Sequence, residues 1–267
     1  MENCRKRLIL SFILNILMII LFISSIINEI VDIHINPDSV YQTVWGLFRF
    51  FTIDGNLLSC IFNCIISFKQ YKALRLTTEK DIKEKIISHF LYIISLISAC
   101  DEIIIFVVVM FIFLPTADSE WTKGLIGTYK ASSVHITIPV ILTFRFLFLD
   151  SRERDLKLYE KFVGGIPMII YGAIMYTLCC AKVFTSYYKE EGDAKIPYPF
   201  LDVYHKEWYF CLFIAIFIFI FGFGISFLFD FLNKKLEKLI FPYDLIEEEN
   251  DVKEERLFSD SQKNEQV

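Results

Sequence analysis

The feature that most constrains this chain is a run of 20 residues, Leu8–Ile27, without a charged side chain. About 20 mostly apolar residues are needed for a helix to cross the hydrocarbon core of a bilayer. Five further long apolar segments follow along the sequence: Val44–Phe68, His89–Leu114, Ala131–Phe148, Phe162–Phe184 and Tyr209–Leu232. The sequence therefore predicts an all-α polytopic membrane protein, a bundle of six transmembrane helices.

The charged residues, 22% of the chain, fit this prediction because they are segregated. The six segments together hold seven charged residues in 136 positions, and the other 131 positions hold 52. We expect residues 1–240 to form the membrane domain. Residues 241–267 are strongly acidic, and we expect them to be a disordered cytoplasmic tail. Outside Glu247–Val267 the chain has 24 acidic and 24 basic residues. No basic surface is therefore predicted, and a nucleic-acid partner is not expected.

The Lys and Arg residues between the segments predict the orientation of the protein, because such residues are enriched on the cytoplasmic side. Basic residues precede the first segment, follow the second and fourth, and follow the sixth, whereas the loop after the first segment has none. This alternation predicts that both termini are cytoplasmic. The expected location is the cell membrane of a bacterium, or an endomembrane if the source is eukaryotic.

Polar residues inside membrane spans are costly and often functional. In the second segment, Arg49, Thr52, Asn56, Ser59 and Asn63 follow spacings of three, four or seven, which predicts one polar helix face. Such a face serves either a reaction or the packing of helices through hydrogen bonds, and the pattern alone favours packing.

The fourth segment carries His135, four residues before Pro139. A histidine at this depth is either a proton carrier or a satisfied core residue. The third segment carries Asp101 and Glu102. We predict that these acids form buried ion pairs with Arg49, Arg145 or Lys182, rather than a proton pathway. We expect no metal or cofactor, since the histidines and cysteines lack the spacing of a metal site.

Three short motifs give a resemblance to a known family. Phe50–Leu58 (FFTIDGNLL) resembles the first signature of small bacterial six-span membrane proteins. These are similar to the androgen-induced protein and androgen-dependent TFPI-regulating protein family of animals. Val134–Pro139 (VHITIP) resembles the second signature, and Pro197–Asp202 (PYPFLD) resembles the third. The animal members are membrane hydrolases of fatty-acid esters of hydroxy fatty acids.

The resemblance implies a threonine nucleophile at Thr52 and a histidine base at His135. It implies a membrane lipid or acyl ester as the substrate. We add Asn56 as a candidate oxyanion donor, because it lies one turn after Thr52. Arg49, Asp101, Glu102 and Arg145 are candidate supporting residues. The alternatives are acyl transfer, or a non-catalytic membrane protein such as a small-molecule transporter, a receptor or a structural subunit. The sequence does not predict the oligomeric state.

Overall fold

The computed structural model describes residues 2–35, 51–76, 78, 81–82, 87–114, 128, 132–181 and 208–240. Within these ranges every regular element is helical. The α-helices are α1 (Glu2–Ile35), α2 (Phe51–Leu74), α3 (His89–Val107), α4 (Ile138–Leu149), α5 (Ile166–Cys180) and α6 (Trp208–Ile240). A π-helical segment, Val108–Phe113, follows α3, and a second one, Ser133–Thr137, precedes α4. A 3₁₀-helical segment, Leu158–Gly165, leads into α5.

Five helical stretches in the described part of the chain are long and apolar enough to cross a membrane: Arg5–Ile35, Phe51–Leu74, His89–Phe111, Leu158–Cys180 and Ile216–Leu239. The segment Ser133–Leu149 is also apolar, but it is shorter than these five. The prediction of an all-helical, multi-pass membrane protein is therefore confirmed. The short segment corresponds to the fourth of the six predicted spans, Ala131–Phe148.

Several helices extend beyond the apolar runs that predicted them. The second run ends at Phe68 and the sixth at Leu232, but α2 continues to Leu74 and α6 to Ile240. Both extensions contain lysines, which are good helix formers and keep their charged ends in water while their stems cover apolar surface. An apolar run marks only the part of a helix that lies in lipid. The predicted start of the second segment, residues 44–50, lies outside the described residues.

Helix α3 is the centre of the bundle. It packs against α2, α4, α5 and α6, while α1 packs against α2 and α4. The core beside α3 includes Tyr92, Leu96 and Ile104 of α3, together with Phe146 and Phe229. By contrast, large apolar side chains on the outer surfaces of α1 and α6 are exposed. An apolar exterior around a partly polar interior is what a lipid solvent requires.

A pair of glycines allows the 3₁₀-helical segment to approach its neighbours closely. A Cβ atom on Gly164 would lie 2.6 Å from Cys100 Sγ and 2.7 Å from Ser226 Oγ. A Cβ atom on Gly165 would lie 2.7 Å from the ring of Phe223. Small residues are common where membrane helices cross at short distance. This crossing ties α3 to α6 and to the start of α5.

Candidate functional site

The polar face predicted on α2 lies inside the bundle. Asn56, Ser59 and Asn63 are fully buried, and Thr52 is half-buried at the start of the helix. The same face continues through Gln70, which is also buried. The face therefore meets other helices along most of its length. Arg49, which the pattern places before Thr52, lies outside the described residues, as do Lys182 and the third motif, Pro197–Asp202.

Asn56 connects the two candidate catalytic segments. Its Nδ2 atom donates to the carbonyl of Thr52 at 2.7 Å and to the carbonyl of Val134 at 3.4 Å. Val134 is the residue before His135. One amide group thus joins the first turn of α2 to the π-helical segment that holds the histidine.

The chain around Pro139 explains why Val134 needs an outside donor. In an α-helix the N–H of Ile138 would bond to the Val134 carbonyl, but here it donates to Ser133, five residues back. In the π-helical register the next donor would come from position 139, where proline has no N–H. The Val134 carbonyl therefore lacks a backbone donor in both registers, and Asn56 supplies one from α2. Pi-helical turns occur often at functional sites.

Both N–H groups of Asn56 are thus directed at backbone carbonyls. To serve as an oxyanion donor, as we considered, the Asn56 amide would have to give up its hydrogen bond to one of these two carbonyls. Its Oδ1 atom is buried and has no hydrogen-bond partner among the described residues. As placed, Asn56 orients the site and offers an acceptor rather than a donor.

Gly55 lies where α2 packs tightly against α3. A Cβ atom at this position would lie 3.1 Å from Ile105 Cδ1 and 4.0 Å from Asp101 Cβ. A glycine inside a helix lowers helix propensity, and its presence after Thr52 needs a packing reason. The close approach to α3 supplies that reason, and it brings Asp101 next to the polar face of α2.

Asp101 and Glu102 are fully buried in α3. None of their four carboxylate oxygens has a hydrogen-bond partner within the described ranges. The Ser59 hydroxyl lies beside the Glu102 carboxyl without meeting hydrogen-bond geometry, and it too is buried without a partner there. We call Asn56, Ser59, Asp101 and Glu102 the acidic cluster.

Arg145 of α4 forms a different cluster. Its guanidinium is fully buried and donates to Asn15 Oδ1, Asn63 Oδ1 and Ser95 Oγ. Its Nη2 atom also lies 3.3 Å from Asp150 Oδ2. One arginine thereby connects α1, α2, α3 and α4. We call Asn15, Asn63, Ser95, Arg145 and Asp150 the arginine network.

The arginine network corrects one prediction. We expected Arg145 to pair with Asp101 or Glu102, but it pairs with Asp150 at the end of its own helix. Asp150 follows α4 directly, and the fork of a guanidinium suits several acceptors at once. The other predicted partners, Arg49 and Lys182, lie outside the described residues.

A third group of charges lies at the same end of the bundle. Asp230 of α6 is buried and lies 3.2 Å from Arg152 Nη1 and 3.0 Å from Lys161 Nζ. Asn233 donates to the carbonyls of Phe146 and Asp150. Asp230 lies near the end of the sixth predicted segment, a position from which a charged side chain can reach water. Instead it is an internal anchor, because Arg152 and Lys161 fold over it.

His89 takes part in an interaction that the sequence did not reveal. Its Nε2 atom lies 2.9 Å from Glu160 Oε1 and 2.8 Å from Arg154 Nη2, and its backbone N–H donates to Glu153. His89 lies at least 64 residues before the other three, and no pattern in the sequence connects it to them. Only the fold brings the start of α3 to the segment before α5.

The described residues contain no group of three or more His, Cys, Asp or Glu side chains placed to bind a metal ion. Comparisons of the chain with protein families, with curated proteins and with solved structures found no match. The resemblance carried by the three motifs therefore stays a prediction.

Proposed function

We propose that the protein is an intramembrane lipid-ester hydrolase in which Thr52 is the nucleophile and His135 the base. The observation that carries this proposal is the Asn56 side chain, which bridges the Thr52 carbonyl and the Val134 carbonyl. This bridge ties together the two segments that hold the candidate residues. The half-buried positions of Thr52 and His135 allow contact with a substrate that enters from the bilayer.

The proposed reaction proceeds in two steps. The Thr52 hydroxyl attacks the ester carbonyl carbon while His135 takes its proton, because a threonine hydroxyl needs a base to become nucleophilic. Collapse of the tetrahedral intermediate breaks the ester bond, and the leaving alcohol receives the proton from His135. Water then attacks the acyl-Thr52 ester with His135 again as base, which releases the fatty acid and restores the hydroxyl.

The test is hydrolysis of fatty-acid esters of hydroxy fatty acids by purified protein in lipid nanodiscs, together with labelling by an acylating probe. We expect Thr52→Ala to lower kcat by at least about 10³-fold, as loss of a nucleophile does. We expect Thr52→Ser to retain labelling and His135→Ala to lose turnover. Thr177→Ala is the matched control, because this hydroxyl donates to the carbonyl of Ala173 in its own helix. Turnover and labelling of Thr52→Ala at the parent level would refute the assignment.

We further propose that Ser133–Leu149 also crosses the membrane, as the fourth of six spans, and that both termini are cytoplasmic. About 17 residues is the lower limit for a spanning helix. Arg152, Arg154 and Lys157 follow this segment directly, as expected at a cytoplasmic end. Single cysteines introduced at positions 120 and 154 should react from opposite sides of sealed vesicles. Reaction from the same side would contradict six spans.

A further inference from the structure

The acidic cluster has more acceptors than the described residues satisfy. Six of its oxygen atoms are buried without a hydrogen-bond partner in this part of the chain: Asn56 Oδ1, Ser59 Oγ, both Oδ atoms of Asp101 and both Oε atoms of Glu102. All four residues are 0% exposed. Burying a polar group without compensation costs free energy, and burying a charge costs much more. Such a group of oxygens requires either protons on the carboxyl groups or a cation that the oxygens hold in common.

The packing of α2 against α3 places these oxygens in one region. The two helices run in opposite directions, since Gly55 approaches Ile105 while Ile66 packs against Leu91 and Ile94. Asp101 lies beside Gly55.

One turn further along α2, Ser59 lies beside Glu102. The two carboxylates are also within electrostatic range of each other. The cluster is thus shared by two helices and includes two acids and a hydroxyl in direct proximity.

Asn56 completes this arrangement from the same face of α2. Its two donated hydrogen bonds fix the amide plane, and they require the Nδ2 end to face the carbonyls of Thr52 and Val134. The Oδ1 atom therefore points away from those carbonyls. Asn56 precedes Ser59 by three residues, so the two side chains lie on the same face of α2.

The chemistry of these groups selects a hard cation. Carboxylate, amide and hydroxyl oxygens are the ligands of calcium, which takes six to eight oxygens in flexible geometry. Magnesium demands stricter octahedral geometry and keeps several waters. Two carboxylates also balance the charge of a divalent ion. We propose that Asn56, Ser59, Asp101 and Glu102 form a buried binding site for Ca²⁺. This site does not rest on the hydrolase proposal, because it uses neither Thr52 nor His135.

The experiment is a titration of the full-length protein, purified in detergent micelles and first treated with EGTA. CaCl₂, MgCl₂ and NaCl are compared at constant ionic strength, with choline chloride as the balancing salt. We expect Ca²⁺ to raise the Tm in a saturable way, because a ligand of the folded state stabilises it. Equilibrium dialysis with radioactive calcium then counts the bound ions per chain.

Two variants locate the ion. Glu102→Gln should abolish the saturable rise in Tm and remove one bound Ca²⁺ per chain. Ser59→Ala should weaken binding by at least about tenfold, the loss that follows removal of groups that merely support metal ligands. Ser59→Ala removes only a hydroxyl, so it provides the test if Glu102→Gln does not fold. Glu153→Gln is the control for a carboxylate outside the cluster, and the acidic tail is common to all variants.

Three results would overturn the proposal. In the first, Ca²⁺ stabilises Glu102→Gln and Ser59→Ala as much as the parent, which would assign binding to the tail or to surface acids. In the second, low pH raises the Tm and Ca²⁺ has no effect, which would mean that the acids are simply protonated. In the third, Na⁺ or Mg²⁺ produces the shift and Ca²⁺ does not.

Discussion

The arginine network and the acidic cluster both include residues of α2 and α3, yet they differ in how their polar groups are matched. Around Arg145, three acceptors and one carboxylate surround the guanidinium, and only its Nε atom has no partner among the described residues. Around Asp101 and Glu102, none of the carboxylate oxygens has a partner in that part of the chain. The first group is suited to hold helices together, and the second to bind something that the described residues do not supply.

This difference teaches how to interpret buried charges in a membrane protein. A buried charge is costly wherever it lies, so its presence alone indicates either structure or function. The hydrogen-bond and ion-pair partners of the charge distinguish a structural role from a functional one. A network whose donors and acceptors match is complete without a ligand, whereas a cluster whose carboxylate oxygens lack donors requires a cation or protons.

The largest effect should follow from breaking the arginine network. Arg145→Met keeps the length of the side chain but leaves Asp150, Asn15 and Asn63 without their common donor. We expect the free energy of unfolding to fall by about 3–5 kcal/mol, as when one partner of a buried ion pair is removed. SDS titration of the detergent-solubilised protein measures this loss. The exposed Arg75 provides the control, because Arg75→Met should have little effect.

Arg145→Lys sharpens the same test. Lysine keeps the charge but cannot contact three acceptors with a planar fork. It should therefore lose a large part of the stability that Arg145→Met loses. Full stability of Arg145→Lys would show that charge alone, and not the geometry of the network, is what the bundle needs.

The sequence predicted the helices well because a bilayer imposes a simple rule on length and polarity. The buried face of α2 was equally predictable, since Asn56, Ser59 and Asn63 repeat with the period of a helix. The partners of the charges were not predictable from the sequence. Arg145 pairs with Asp150 five residues away, which crosses the boundary between a predicted span and a loop. Asp230 and Arg152 are 78 residues apart, and no pattern in the sequence connects them.

The geometry around His135 shows a second limit of the same kind. Pro139 shows that one backbone donor is missing, but the sequence does not predict which carbonyl loses its hydrogen bond. The π-helical register shifts the loss from the His135 carbonyl to the Val134 carbonyl, and the compensating donor comes from another helix. The chemistry of proline predicts that a hydrogen bond is lost, whereas the packing of the helices determines which side chain replaces it.

A smaller effect is expected at the third group of charges, which is matched like the arginine network but lies nearer the helix ends. Asp230→Asn removes the charge that faces Arg152 and Lys161. Because Arg152 keeps contacts to Asn233 and Glu237, we expect a loss of about 1–3 kcal/mol, the cost of a buried group left partly unsatisfied. The same SDS titration applies. A loss as large as that of Arg145→Met would show that this group stabilises the bundle as strongly as the arginine network does.

The exposed edge of this group should respond to pH. A hydrogen bond from Lys234 holds the pKa of Asp155 below its usual range. Because the pKa is lowered in the folded state, the ion pair stabilises the protein fully above the pKa of the unfolded state, near 3.9. This stabilisation is lost as the pH falls through the lower pKa of the folded state. Since Asp155 is largely exposed, the contribution should stay within about 0.2–1 kcal/mol. The parent should lose its advantage over Asp155→Asn only below about pH 4. An advantage that grows as the pH falls would contradict the ion pair.

The smallest effect should come from the acidic cluster when no cation is present. Glu102→Gln replaces a carboxylate that lacks a partner among the described residues with a neutral group of the same shape. In EGTA we expect the free energy of unfolding to change by less than about 1 kcal/mol, because no matched hydrogen bond is broken. Both Arg145 and Glu102 are fully buried charges in the centre of the bundle, so burial alone predicts similar losses for the two substitutions. If Arg145→Met lowers the free energy of unfolding strongly and Glu102→Gln hardly changes it, the presence of hydrogen-bond partners, and not burial, determines how much a buried charge stabilises the bundle. Equal losses would show that Glu102 already has a partner within the protein.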